Sequence, residues 1–144
     1  MKKLPNENSK KFITVLNKKI ETGKLMNALG HMTAGFVGGL ECTEHMCFLK
    51  YVDGDNGIHP NISHFPFIIL KAENSNKIRK LRNICIENNI QYCDFTSTMT
   101  VGSSEDQLNL TKNTPEIDLD YYGIILFGDS KELSQYTKKF SLFN

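Results

Sequence analysis

Apolar residues follow two different periods along this chain, and the change from one period to the other predicts strands and helices in alternation. The run from Phe12 to Leu16 is short, apolar and rich in β-branched residues, which is typical of a buried strand. From Leu25 onward the apolar positions recur every three to four residues as far as Leu40, and Gly38-Gly39 supplies a terminator. This pattern predicts a helix that ends at the two glycines.

The same patterns predict a hairpin and several further elements. A continuous apolar run from Pro66 to Leu70 predicts a central strand that is covered on both faces. The Asp-Gly-Asp-Asn turn that begins at Asp53 predicts the hairpin. The other expected elements are strands at 90–94 and 122–127, a helix after Asn74 or Ser75, a polar insertion with a helical turn at 103–117, and a last helix that starts in a capping box of Asp129 and Glu132.

Together these elements predict a three-layer α/β/α fold. We expect a mixed, mostly parallel central sheet of about four strands, with the hairpin inserted. Because a domain takes about 100–200 residues, the 144 residues are expected to form one domain, with residues 1–10 as a flexible tail. The strand residues expected in the core are Ile13, Val15, Phe67, Ile69, Ile124 and Leu126.

Charge and hydropathy narrow the class of protein. The 17 basic and 16 acidic residues nearly cancel, so global attraction to nucleic acid is expected to be weak. No apolar run approaches the ~18–20 residues that span a bilayer, and residues 1–5 lack the apolar core of a signal peptide. We therefore expect a cytoplasmic protein that does not engage a membrane.

The cysteine spacing indicates free thiols. The four cysteines show no CxxC motif, and we expect them to be reduced, with Cys85 and Cys93 buried. The segment from Cys42 to His64 contains two cysteines and three histidines, which are ligand types that zinc prefers. Their spacing matches no standard structural site, so the sequence predicts no metal and no cofactor.

Candidate chemistry begins at the N-terminus of the first predicted helix. Lys24 lies in its first turn, where unpaired backbone N–H groups and the positive end of the helix favour an anion. His31 follows about 700° around the helix and about 10 Å along it, so both side chains share one face. Asp94 closes a later strand, and parallel strands would bring it to the same end of the sheet. The alternative is a purely structural role, with Lys24 as a surface lysine and His31 as a core or interface histidine.

Several motifs then occur in one order along the chain. They are Lys24 with His31, Leu70-Lys-Ala-Glu73, Asp94-Phe-Thr-Ser-Thr98, Gly123-Ile-Ile-Leu-Phe-Gly128 and Tyr136-Thr-Lys-Lys-Phe-Ser-Leu142. In this order the chain resembles the type-II peptidyl-tRNA hydrolase superfamily, and within it an uncharacterised branch that carries the same Asp-Phe-Thr stretch. The resemblance implies a homodimer that hydrolyses the ester joining a peptide to the terminal ribose of tRNA.

The resemblance also implies a set of site residues. The catalytic positions would be Lys24, His31, Asp94 and Thr98, and the substrate-binding positions would be Asn27, Thr96 and Ser97. On this hypothesis Asp94 activates a water, Lys24 stabilises an oxyanion and His31 relays a proton.

One departure from the hydrolase pattern supports an alternative function. Ser97 stands where the hydrolases have an arginine, and a serine does not replace its bidentate contact with a phosphate or carboxylate. The alternative is a non-catalytic module that binds a phosphorylated small molecule or a protein partner at the same site.

Overall fold

Strands and helices alternate along the chain as the periodicity predicts, with one helix longer than expected and one unpredicted short strand. The computed structural model describes residues 3–144. The strands are β1 (Lys10–Asn17), β2 (Phe48–Val52), β3 (Ile58–Ser63), β4 (Phe67–Ala72), β5 (Gln91–Thr96), β6 (Tyr121–Asp129) and β7 (Ser141–Leu142). The helices are α1 (Thr22–Gly38), α2 (Ser75–Glu87), α3 (Ser104–Lys112) and α4 (Ser130–Thr137), and 3-10 turns occur at Glu44–Met46, Ser97–Met99 and Glu116–Asp118.

The central sheet is mixed, but it is mostly antiparallel, so the prediction of a mostly parallel sheet is wrong. Its strand order is β5-β6-β1-β4-β7, and only β1 and β4 are parallel neighbours. A parallel connection needs a crossover that packs on the sheet. The segment between β5 and β6 contains α3, which buries no residue, so this connection does not cover the sheet and β6 returns antiparallel to β5.

Because β6 runs antiparallel to both of its neighbours, β1, β4 and β5 all point in one direction. Their last residues therefore lie at one edge of the sheet, which we call the carboxyl edge. α1 starts five residues after β1 ends, and α2 starts three residues after β4 ends. The N-termini of both helices are thereby placed at the carboxyl edge.

Two separate apolar cores confirm the three layers. Side chains alternate along β1, so that Phe12 and Leu16 pack against α1 whereas Ile13 and Val15 pack against α2 and α4. The buried residues of α1 recur at helical spacing and face the first core; they are Leu25, Ala28, Met32 and Phe36. The second core receives Ile78, Leu81 and Cys85 from α2 and Leu133 from α4.

Four of the six expected core residues are buried: Ile13, Val15, Ile124 and Leu126. Ile69 is half-buried, and the prediction is wrong for Phe67, which is 37% exposed. The reason is the position of β4 in the sheet. β7 pairs only with Leu70 and Lys71, so the first residues of β4 lie near an open edge.

The two insertions differ in how well their sequences predict them. The hairpin is confirmed, because β2 and β3 form a separate antiparallel pair around the turn that begins at Asp53. The polar insertion holds the nine-residue helix α3 where a single turn was expected. Its capping box of Ser103 and Asp106 stabilises the helix start. Since α3 buries no residue, it has no apolar period to signal its length.

Candidate functional site

A polar cleft of about 490 Å³ lies at the carboxyl edge, between α1 and the segment that follows β5. The α1 wall carries Lys24, Asn27 and His31, which lie three and four residues apart and are all exposed. Its other lining residues are Gly23, Met99, Thr100, Gln107 from α3 and Tyr122 from β6. The volume falls in the range of about 300–1,000 Å³ that is usual for small-molecule sites.

The buried face of α1 fixes where the polar side chains lie. Leu25, Ala28 and Met32 are each at most 1% exposed, so the helix cannot rotate without exposing its apolar face. The His31 ring also stacks on Phe95 of β5, with ring centroids 6.1 Å apart and planes inclined by 23°. Phe95 in turn lies 6.0 Å from the Tyr122 ring. The imidazole is therefore supported from the sheet side.

The N-terminus of α1 gives the cleft a positive end. Glu21 occupies the N-cap position but makes no side-chain capping bond, and the first turn of α1 contains no acidic residue. The first backbone N–H groups of the helix therefore lack a side-chain acceptor, and Lys24 adds a full positive charge beside them. Lys24 and the start of α1 thus both favour an anion at this end of the cleft, and no described lining residue carries a carboxylate.

Asp94 does not join this cleft, which corrects the expected convergence with Lys24. β5 does run in the same direction as β1, as that expectation required. Successive strand residues face opposite sides of a sheet, however, and Phe95 belongs to the core under α1. Asp94 therefore faces α2, where its carboxylate accepts a 3.1 Å hydrogen bond from Nε of Arg82. Burial raises the pKa of Asp94, and the charge of Arg82 limits the rise.

Thr98 is buried beside the cleft and does not line it. Its Oγ1 lies 2.7 Å from Oγ1 of Thr96 and 2.8 Å from Oγ1 of Thr111 in α3. The three hydroxyls thus connect the end of β5 to the helix that carries Gln107. Thr96 is fully buried, and neither it nor Ser97 lines the cleft. In this structure Thr98 has the geometry of a positioning residue for α3.

Three of the seven site residues named from the sequence therefore line the cleft, namely Lys24, Asn27 and His31. The residues of the opposite wall were not identified from the sequence. Thr100 follows a 3-10 turn, Gln107 comes from a helix that is longer than predicted, and Tyr122 comes from β6. The sequence signal that could have found Gln107 is the capping box at Ser103, which places a helix next to the Asp-Phe-Thr-Ser-Thr98 stretch.

Two histidines of the segment from Cys42 to His64 make hydrogen bonds to protein oxygen atoms. Nε2 of His59 lies 2.9 Å from the Asp53 carboxylate in the hairpin, and Nε2 of His64 lies 2.8 Å from the carbonyl oxygen of Pro5. Within residues 3–144, no group of three or more His, Cys, Asp or Glu side chains is placed to hold a metal ion. Over the same range, no helix has the length and apolar character to cross a membrane.

The fold and the cleft define an α/β protein with a mixed sheet between two helical layers and a polar site at its carboxyl edge. Residues 10–144 match the family described as protein of unknown function (DUF2000), and the chain belongs to this family. No curated protein matches the sequence.

A solved structure of a protein of unknown function from Agrobacterium tumefaciens has the same fold. The TM-score is 0.80 at 18% sequence identity, over 94% of this chain and 98% of that chain. The family and this structure agree with the uncharacterised branch of the resemblance, and neither gives support to peptidyl-tRNA hydrolysis.

Proposed function

We propose that the protein binds a small anionic molecule, of the phosphorylated or carboxylated class, in the cleft between α1 and α3. The observation that carries this proposal is the charge of the cleft lining. Lys24 lies at the uncapped start of α1 with Asn27 and His31 on the same wall, and no carboxylate is found among the described lining residues. Such a site favours an anion through the helix end and the ammonium group together.

The opposite wall supplies neutral polar groups for the rest of the ligand. Thr100 and Gln107 bring a hydroxyl and an amide, which both donate and accept hydrogen bonds. The aromatic rings of His31 and Tyr122 offer flat surfaces that are backed by Phe95. A ligand with an anionic group at Lys24 and a planar or hydroxylated body matches this lining.

Hydrolysis of an acyl ester is the second candidate, and one observation favours it. His31, a residue type that commonly transfers protons in enzymes, shares the cleft with Lys24. The carboxylate that the resemblance assigned to this reaction lies on the other face of the sheet, as an ion pair with Arg82. Binding without turnover is therefore the function that the geometry supports best.

Calorimetric titration tests the binding proposal. Nucleoside monophosphates are compared with the corresponding nucleosides, using the wild type, Lys24→Gln and Lys50→Gln. Lys50 is an exposed lysine of the hairpin, so its substitution makes the same change in charge away from the cleft. We expect saturable binding of a phosphorylated ligand and at least ~10-fold weaker binding by Lys24→Gln alone, since a charge-assisted contact contributes about 1.5–3 kcal/mol. Equal affinity of the two variants would overturn the proposal.

An acylated tRNA and a model ester separate the second candidate from the first. If the protein is a hydrolase, turnover exceeds background and His31→Ala lowers it by about 10²-fold or more. Asp94→Asn should leave that turnover unchanged, because Asp94 lies outside the cleft. Saturable binding without turnover supports the binding function alone.

A further inference from the structure

A second pocket, of about 140 Å³, lies next to β7 and apart from the cleft. It is formed where β4 ends, where α2 begins and where the chain leaves α4. Its lining residues are Lys71, Glu73, Lys77, Lys139, Phe140 and Ser141, and we call it the lysine pocket. This volume is several times the ~10–15 Å³ that one water requires, so the pocket has room for a small anion.

Positive charge dominates the lysine pocket. Lys18 follows β1 at the same edge of the sheet, and its Nζ lies 2.6 Å from the Glu73 carboxylate. The hydrogen bond from Lys18 lowers the pKa of Glu73, and the charges of Lys71 and Lys19 lower it further. Lys18 thus pairs with the one carboxylate of the pocket lining, and the three lining lysines leave the pocket with a net positive charge.

The three lining lysines have no anionic partner among residues 3–144. Nζ of Lys71 donates a 2.9 Å hydrogen bond to the side-chain oxygen of Asn144, and Nζ of Lys139 lies 5.4 Å from the centre of the Phe140 ring. Neither contact cancels a charge. The backbone N–H of Lys77 is already capped by Asn74, so the ammonium groups carry the attraction for an anion and the start of α2 does not.

We propose that the lysine pocket binds a multiply charged anion of the phosphate class, held by the ammonium groups of Lys71, Lys77 and Lys139. Three lysines line this one small pocket, and their N–H donors match the several acceptor oxygens of a phosphate. The same chemistry is offered by inorganic phosphate and by the phosphate group of a phosphomonoester. This site is independent of the cleft, with which it shares no lining residue.

Backbone amide NMR signals test the proposal while inorganic phosphate is titrated at constant ionic strength. The Lys71→Gln/Lys139→Gln chain is compared with a Lys50→Gln/Lys112→Gln chain, whose two lysines are exposed on the hairpin and on α3. We expect the amides of Lys71, Lys77 and Ser141 to shift with saturation. The first chain should bind at least ~10-fold more weakly, because two charge-assisted contacts are lost, and the second chain should match the wild type.

A parallel titration with ribose 5-phosphate identifies the source of the anion. Tighter binding than inorganic phosphate assigns a phosphomonoester, whereas equal or weaker binding assigns free phosphate. Lys24→Gln changes the cleft and should leave these amide shifts unchanged. The cleft proposal and the lysine-pocket proposal can therefore fail separately. If the double variant unfolds, the single Lys139→Gln variant replaces it in the titration, because Lys139 lies outside the strands and helices. Shifts that do not saturate, or an equal loss in both double variants, overturn the proposal.

Discussion

Nε of Arg82 donates a 3.1 Å hydrogen bond to Oδ2 of Asp94, and this contact joins α2 to the edge strand β5. The side chains are 24% and 19% exposed, so both charges are largely removed from water. A carboxylate in this setting needs its cation, because burial by itself raises the pKa of Asp94. The pair therefore contributes to the packing of α2 on the sheet, away from the cleft.

Removing the cation should destabilise the protein in a pH-dependent way. We expect Arg82→Gln to lower the free energy of unfolding at pH 7 by about 2 kcal/mol, because a buried carboxylate loses its partner. Without Arg82 the native pKa of Asp94 rises further above its unfolded value, so the native state binds the extra proton. The stability of this variant should therefore be greatest in acid and fall as pH rises through that native pKa. Urea denaturation between pH 4 and pH 8 measures this.

The Arg82→Gln/Asp94→Asn chain is the control for this prediction. Because it has neither charge, it should recover stability at pH 7 and lose the falling trend with pH. A single Arg82→Gln chain whose stability does not change between pH 4 and pH 8 would show that the carboxylate is not the cause.

The hydroxyl of Thr98 should hold α3 in place. We expect Thr98→Val to lose about 1–2 kcal/mol, since it removes the hydroxyl that links Thr96 to Thr111 in a buried position. Amide hydrogen exchange should quicken most within α3, which has no buried residue to retain it. Thr98→Ser keeps the hydroxyl and should keep most of the protection. Exchange that quickens evenly over the whole chain would contradict a positioning role.

Thr14 offers a stabilising substitution. Its Oγ1 is buried and has no hydrogen-bond partner among residues 3–144, while its register neighbours on β4 and β6 are Ile69 and Ile125. Thr14→Val keeps the shape and removes the unsatisfied hydroxyl, so we expect about 1–2 kcal/mol of added stability in chemical denaturation. Thr137→Val is the matched control. Oγ1 of Thr137 donates to the carbonyl of Leu133 at 2.8 Å, and this variant should lose about 1 kcal/mol. Equal effects of the two substitutions would refute the argument.

The four cysteines should differ in reactivity. They are all unpaired; Cys42 is exposed and Cys85 is buried as predicted, whereas Cys93 is half-buried. Burial raises the pKa of Cys85 to about 12, so its thiolate is scarce at pH 8. We expect iodoacetamide to alkylate Cys42 at least ~10²-fold faster than Cys85 in the native protein, as measured by peptide mass spectrometry. In denaturant the four rates should converge. Native labelling of both at one rate would contradict the burial.

Local pattern was enough to find most of the strands and helices and one wall of the site. The apolar period from Leu25 onward places α1 and its end at the glycines, because a helix buries the same face every 3.6 residues. That period also leaves Lys24, Asn27 and His31 together on the exposed side. These relationships lie within one helix, so the sequence alone determines them.

The direction of β6 and the placement of Asp94 depended on contacts between segments that are distant in the sequence. The packing of residues 97–120 decided that β6 runs antiparallel to its neighbours. This segment has no apolar period, so its packing cannot be predicted from the sequence. The placement of Asp94 depended on which face of β5 meets α1. A strand turns each successive side chain to the other face, so a shift of one residue separates the cleft from the ion pair with Arg82. Only the tertiary packing of Phe95 against α1 set that choice.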